Sequence, residues 1–274
     1  MEAGLIMLGG GLAGVVGSLL GLGGGILIVP LLTLGFGLDV RTAVGVSLVC
    51  VIITSGAAAG VYLERHVANL RLGMTLELFT ALGALAGGLI AFAIDEALIA
   101  GLFAVMLVYA AVSMMRRGPT ETAPATELPT THEEPRVEGW SSRLSGEGYE
   151  VRRVGTGAVG SVGAGVVSAL LGVGGGLVKV PVMHLVMGVP LRVATATSNL
   201  MVGITATASA SIYLFRGEID AYFAGTIGIG VFLGATLGSR LAHRVPIAVL
   251  RLLFVVVLLY SALQMVLLAL ERAP

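Results

Sequence analysis

Apolar runs follow one another along almost the whole chain, and in each half the first of them is interrupted by a cluster of glycines. In the first half the runs cover 5–20, 26–36, 42–63, 72–94 and 97–115; in the second they cover 156–171, 177–187, 193–215, 222–242 and 247–270. A helix that crosses a hydrocarbon core about 30 Å thick needs about 20 apolar residues. The last three runs of each half therefore predict full spans. The runs 26–36 and 177–187 are too short to cross and predict half-helices, each folded back through the glycine turn onto the run before it.

The two halves are copies of one pattern. Gly21-Leu22-Gly23-Gly24-Gly25 with Pro30 returns as Gly172-Val173-Gly174-Gly175-Gly176 with Pro181, an offset of 151 residues. The register holds without a gap from Ala13 to Met114 against Ala164 to Met265, pairing Arg41 with Arg192, Ser47 with Ser198, Thr54 with Thr205 and Gly83 with Gly234. The expected architecture is an all-α membrane protein of two repeats, residues 1–115 and 156–274, each a broken helical hairpin plus three transmembrane helices. Residues 116–155 are rich in Pro, Glu, Thr and Ser and predict a flexible linker.

Composition places the chain in a bilayer. It is 56% hydrophobic and 12% charged, against about 25% charged in soluble domains, too little to cover a water-facing surface. A net charge of +0 and few aromatics point away from a nucleic-acid partner. Cys50 is the single cysteine, which excludes an intrachain disulfide and a cysteine-built metal site. Met1-Glu2-Ala3 has no basic n-region, so a cleaved signal peptide is not expected.

Charge also suggests orientation. Arg116, Arg117, Arg152 and Arg153 bracket the linker and place it in the cytoplasm by the positive-inside rule. With three crossings per copy, Arg65, His66 and Arg71 fall inside, and so do Arg240, His243 and Arg244. The basic loop then follows the second span in one copy and the third in the other. That inversion is what inverted-topology repeats require, and it puts both termini outside. If the first broken stretch crosses instead, the repeats become parallel.

Broken helices at matching places in two inverted halves point to a transporter site at the bilayer midplane. The N-terminus of a half-helix ending there offers unpaired N–H groups and a partial positive charge to an anion, and glycines let that backbone approach closely. Gly23, Gly24 and Gly25 in one copy and Gly174, Gly175 and Gly176 in the other are the candidate cradle; alternatively, these glycines only allow tight helix crossing. Hydroxyls and an amide near the start of the next span, Ser47, Thr197, Ser198 and Asn199, are candidate anion donors, although such groups also bond between helices. Lys179 is the only lysine in the chain and lies inside the second half-helix where the first copy has Ile28. An intramembrane cation is a functional candidate, for attracting the anion or carrying a proton; snorkelling is its alternative. Glu77, about one turn into its span, and His184 read as interfacial, and Arg41 and Arg192 as helix anchors. No catalytic arrangement stands out, and the four histidines lack metal-ligand spacing. Neither enzyme chemistry nor a cofactor is expected.

The doubled Leu-Gly-x-Gly-Gly-Gly…Pro pattern, followed by Ala43-Val44-Gly45-Val46-Ser47 and Ala194-Thr195-Ala196-Thr197-Ser198-Asn199, resembles the TauE/SafE sulfite exporter family over nearly the whole chain outside the linker. The resemblance implies a multi-pass permease of the bacterial inner membrane that exports sulfite or an organosulfonate. The leading expectation is a secondary transporter of a small anion, proton-coupled or driven by membrane potential. Its rivals are an anion channel and a non-transporting scaffold or enzyme subunit. The transporter reading needs the two stubs to stay interrupted and to point at a common polar hollow. The anion and the oligomeric state are not legible.

Overall fold

Glycine and proline decide where the helices stop. The computed structural model describes residues 2–20, 25–64, 68–116, 144–146, 149–241 and 247–271, and no strand occurs among them. The first half gives α1 (Glu2–Leu20), α2 (Gly25–Pro30), α3 (Val40–Glu64), α4 (Leu70–Ala91) and α5 (Glu96–Arg116). The second gives α6 (Val154–Leu171), α7 (Gly176–Pro181), α8 (Leu191–Phe215), α9 (Ala221–Leu241) and α10 (Ile247–Glu271). Pro30 and Pro181 lack the N–H that continues an α-helix, and α2 and α7 loosen there into wide turns over Leu31–Gly35 and Val182–Val186. Both stubs then end at a glycine in the left-handed region, Gly37 at φ 68° and Gly188 at φ 74°. Equivalent bonds close them, Leu38 N–H to the Leu32 carbonyl at 3.1 Å and Val189 N–H to the Met183 carbonyl at 3.0 Å.

Among the described residues, five stretches are long and apolar enough to cross a membrane: Leu70–Ala91, Glu96–Ser113, Val154–Leu171, Val193–Phe215 and Ala221–Gly238. Their outward faces carry bare aliphatic side chains such as Met74, Leu78, Val105 and Val159, a surface suited to lipid rather than water. The protein is a multi-pass membrane protein. At 18 residues α6 reaches about 27 Å and is long enough to cross alone. The stub Gly176–Val186 is not.

The helices pair across the two halves: α1 on α9, α4 on α6, α5 on α10 and α3 on α8, with α4 also on α8 and α3 on α9. Exchanging every helix for its repeat equivalent maps this set of contacts onto itself. Small residues make the closest crossings possible. A Cβ at Gly83 or Gly165 would strike the backbone of the facing helix at the carbonyls of Val162 and Thr80, and one at their equivalents Gly234 and Gly14 would strike those of Gly11 and Val231.

The described end of the 116–155 segment is not a free linker. Leu144 and Val151 are buried against Leu72, Leu76, Met183, Met187 and Met201. Asn69 ties this layer down. Its side-chain oxygen accepts from Leu72 N–H at 3.0 Å and so caps α4, while its amide donates to the Leu144 carbonyl at 2.8 Å and to the Tyr149 hydroxyl at 2.7 Å. Burial pushes the Tyr149 phenol upward from its usual pKa, so the hydroxyl keeps its proton. Asn69→Ala will lower stability by about 1–2 kcal/mol, the worth of the cap and its ties, read from thermal unfolding in detergent. The basic loops at 65–67 and 242–246 and the linker through Trp140 lie outside the described residues.

Candidate functional site

Three glycines in the left-handed region turn the chain between α6 and α7. Gly172, Gly174 and Gly175 have φ of 67°, 76° and 74°, values that a side chain would strain. Gly172 ends α6 by donating to the Ser168 carbonyl at 2.8 Å. Gly175 accepts from the N–H groups of Val178 and Lys179 and opens α7. The matching turn in the first half contains Gly23 and Gly24, which lie outside the described residues. Its last glycine, Gly25, opens α2. The two interruptions are neighbours: a Cβ on Gly25 would meet the Gly172 carbonyl at 2.8 Å and Ser47 Oγ at 3.2 Å.

The candidate hydroxyls divide sharply in their bonding. Ser47 Oγ has the Gly172 carbonyl at 2.8 Å and the Gly25 carbonyl at 3.2 Å as acceptors and joins the two interruptions. Thr197 Oγ1 accepts from Asn69 N–H at 2.9 Å, at the start of α4. Ser198, the repeat equivalent of Ser47, is buried, and its hydroxyl has no hydrogen-bond partner; neither has that of Ser168. Both border the glycine turn. Ser198 Oγ is 3.5 Å from where a Cβ on Gly176 would stand, and Ser168 Cβ is 3.3 Å from that of Gly175. Asn199 is half-buried, and its backbone carbonyl accepts from Ser55 Oγ at 2.6 Å. Buried polar groups are nearly always bonded, so two orphan hydroxyls beside one turn are an anomaly. Sequence reasoning missed Ser168, which follows a run of small residues and matches Gly17 in the other copy.

Lys179 is 1% exposed and does not snorkel. Its ammonium donates to Glu77 Oε2 at 3.0 Å and to Thr205 Oγ1 at 2.5 Å. Thr205 in turn donates to Glu77 Oε1 at 2.6 Å, closing a ring over α4, α7 and α8. The expectation that Glu77 reaches the interface is corrected: it is 4% exposed. Leu72 and Leu76, roofed by Leu144 and Val151, separate it from that end of the bundle. His184 Nδ1 sits 2.9 Å from the Val189 carbonyl. Arg41 holds the Ala91 and Ile94 carbonyls at the end of α4, at 3.2 and 2.7 Å.

Among the described residues, the polar hollow that the transporter reading needs between the stubs is not found, and aliphatic side chains stand in its place. Val51 and Val202 pack onto Gly174, and Val51 also packs onto Gly25. Two open grooves lie elsewhere. A lateral groove of about 650 Å³ runs between α3 and α9, lined by Val49, Ile53, Ala224 and Phe232, and another of about 230 Å³ lies between α1 and α9. Both have aliphatic walls that suit lipid tails. Among the described residues, no three His, Cys, Asp or Glu side chains converge as a metal site would require.

The Sulfite exporter TauE/SafE family matches residues 6–265. The chain is 23% identical to the probable membrane transporter protein YunE of Bacillus subtilis, over 93% of this chain and 94% of that protein. It is 26% identical to the probable membrane transporter protein YdhB of the same bacterium, over 88% and 90%. A probable membrane transporter protein of Methanocaldococcus jannaschii is 25% identical over 91% and 90%. No solved structure matches the chain.

Proposed function

This chain belongs to the TauE/SafE family, and from that premise we propose that it is a secondary transporter that exports a small oxyanion, sulfite or an organosulfonate, across a bacterial inner membrane. The two repeats have opposite topology, the linker faces the cytoplasm and both termini face outward. Two features support the inversion: Arg152 N–H, just before α6, donates to the Met187 carbonyl at the end of the α7 stub at 3.0 Å, as a broken stretch that returns to the side it left requires, and the basic loops change sides between copies.

The anion site lies at the meeting of the two glycine interruptions, with Gly25 and Ser47 from one side and Ser168, Gly174, Gly175, Gly176, Ser198 and Asn199 from the other; Thr197 Oγ1 is committed to Asn69 and Lys179 to Glu77. One observation carries this reading: the buried hydroxyls of Ser168 and Ser198 have no partner beside the Gly172–Gly176 turn. Leaving a buried hydroxyl unbonded costs about 1–3 kcal/mol, which an oxyanion accepting from both offsets. The close packing of Val51 and Val202 on the turn leaves no standing pore there, which counts against a channel. It also fills the place of the expected polar hollow, so the transport reading rests on the family match and the orphan hydroxyls.

The test uses purified protein in proteoliposomes with sulfite and methanesulfonate as probes. Saturable, protein-dependent flux is expected. Ser168→Ala and Ser198→Ala will unfold at or slightly above the wild-type temperature, since each removes an unpaired donor, yet will lower flux about tenfold, the worth of one lost hydrogen bond to an anion. Wild-type flux in both variants removes the site assignment. No flux of either probe removes the transport reading for these anions.

A further inference from the structure

The two copies are alike in sequence, yet their interiors differ. Around the α4–α6–α7–α8 side lie the buried polar residues Glu77, Thr80, Ser161, Ser168 and Lys179. At the equivalent places on the α9–α1–α2–α3 side stand Gly228, Val231, Gly10, Gly17 and Ile28. The duplication supplied a symmetric frame, and only one side of it received charge. Helix packing alone does not require this, since the equivalent place on the other side, Ile28 opposite Gly228, is apolar.

The ring on the polar side has the form of an occupied oxyanion clamp. Lys179 Nζ binds Glu77 Oε2 at 3.0 Å and Thr205 Oγ1 binds Oε1 at 2.6 Å, so two donors on α7 and α8 hold the two oxygens of one carboxylate. A sulfonate or a sulfite presents a similar pair of oxygens. Among the described residues, no other charged group is bonded into this ring, and Glu150 and Arg152 of the covering segment are exposed. Between Val154 and Leu171, α6 carries no ionisable side chain. On the α7 stub His184 turns to the Val189 carbonyl. On α8 the sole ionisable side chain besides Tyr213 is Arg192 in the first turn, more than three turns from Thr205. Arg71, one turn and a half before Glu77 on α4, is exposed.

We propose that Glu77 is a built-in stand-in for the anion at a second station, two turns along α8 from Ser198, and that the transported anion takes its place on Lys179 and Thr205 only when Glu77 binds a proton. This inference rests on the transport reading above. With Lys179 charged, the clamp is neutral when it holds ionised Glu77, and neutral again when it holds a monoanion beside protonated Glu77. A monoanion beside ionised Glu77 leaves one uncompensated negative charge in the membrane interior, which is costly. One proton therefore enters with each monovalent anion and leaves with it, in the same direction. Export by this route works against an inward proton gradient, so the outward gradient of the anion drives it.

Methanesulfonate is the probe, because it stays ionised throughout the working range and carries no proton of its own. Wild-type protein in proteoliposomes loaded with methanesulfonate, with a trapped pH dye, will alkalinise the lumen as the anion leaves. Its affinity for methanesulfonate will rise about tenfold for each unit of pH lowered while Glu77 is ionised, as one linked proton demands. Glu77→Gln, neutral and of the same shape, will bind the anion independently of pH and move it without alkalinisation. Wild-type flux without a pH change overturns the inference and leaves the transporter intact, as does proton movement that persists in Glu77→Gln. If that variant does not fold, the wild-type pH dependence decides alone, and a flat profile overturns the inference. No flux of any anion in the wild type overturns the transport reading and this inference with it.

Discussion

Lys179→Met alone will lower stability by about 3–5 kcal/mol, the cost of stranding a buried charge, and Glu77→Met alone will do much the same. The double variant Lys179→Met/Glu77→Met will return to within about 1–2 kcal/mol of wild type, because well-packed apolar groups often replace a buried ion pair at little net cost. The geometry permits this recovery. Thr205, the third member of the ring, keeps a partner when both charges go, since its hydroxyl also lies 3.1 Å from the Met201 carbonyl within α8. Nothing polar is then left unsatisfied. Chemical unfolding in detergent followed by circular dichroism reads the cycle, and the coupling energy is the excess of the two single losses over the double. A double variant as unstable as either single one shows that the pair holds the fold together. The expected result is a folded double variant that moves no anion, which assigns the pair to transport and not to stability.

Lys179 was legible because it is the only lysine and breaks the symmetry of the repeat. Glu77 was not, for a physical reason. Position along a span locates a residue relative to the helix end, and burial depends on what covers that end. The cover here comes from Leu144 and Val151, at the close of a segment whose composition reads as a flexible linker. Asn69 draws those residues onto the start of α4, and the apparent interface moves away from Glu77. Thr205 was visible in the repeat as the partner of Thr54, but symmetric residues read as scaffold. Thr54 bonds the Cys50 and Val51 carbonyls of its own helix. The spans and the placing of the glycine interruptions were legible because each follows from local rules of length, proline and glycine. The ring and the orphan hydroxyls arise where three helices meet, and no local rule reports that.

Gly165→Val will destabilise the protein by about 3 kcal/mol or more, and Gly83→Val by a similar amount, at the upper end of what overpacking costs. The obstacle at each is a backbone carbonyl, of Thr80 for Gly165 and of Val162 for Gly83, so no rotamer change relieves it and α4 and α6 must move apart. Gly163, two residues from Gly165 on the same helix, has nothing within 4 Å of its added Cβ. Gly163→Ala will be neutral or stabilise by up to about 1 kcal/mol through helix propensity, which makes it the control for glycine loss as such. Equal losses at positions 163 and 165, read by thermal unfolding, would sink the crossing argument. The effect reaches the candidate site along both helices. Glu77 lies six residues before Gly83 on α4, and Ser168 lies three after Gly165 on α6. A wedge between these helices lengthens the reach from Glu77 to Lys179, which α7 holds from the far side. In any Gly83 or Gly165 variant that still folds, anion flux will therefore fall further than stability, because the ring tolerates a displacement of α4 far less well than the aliphatic packing around it.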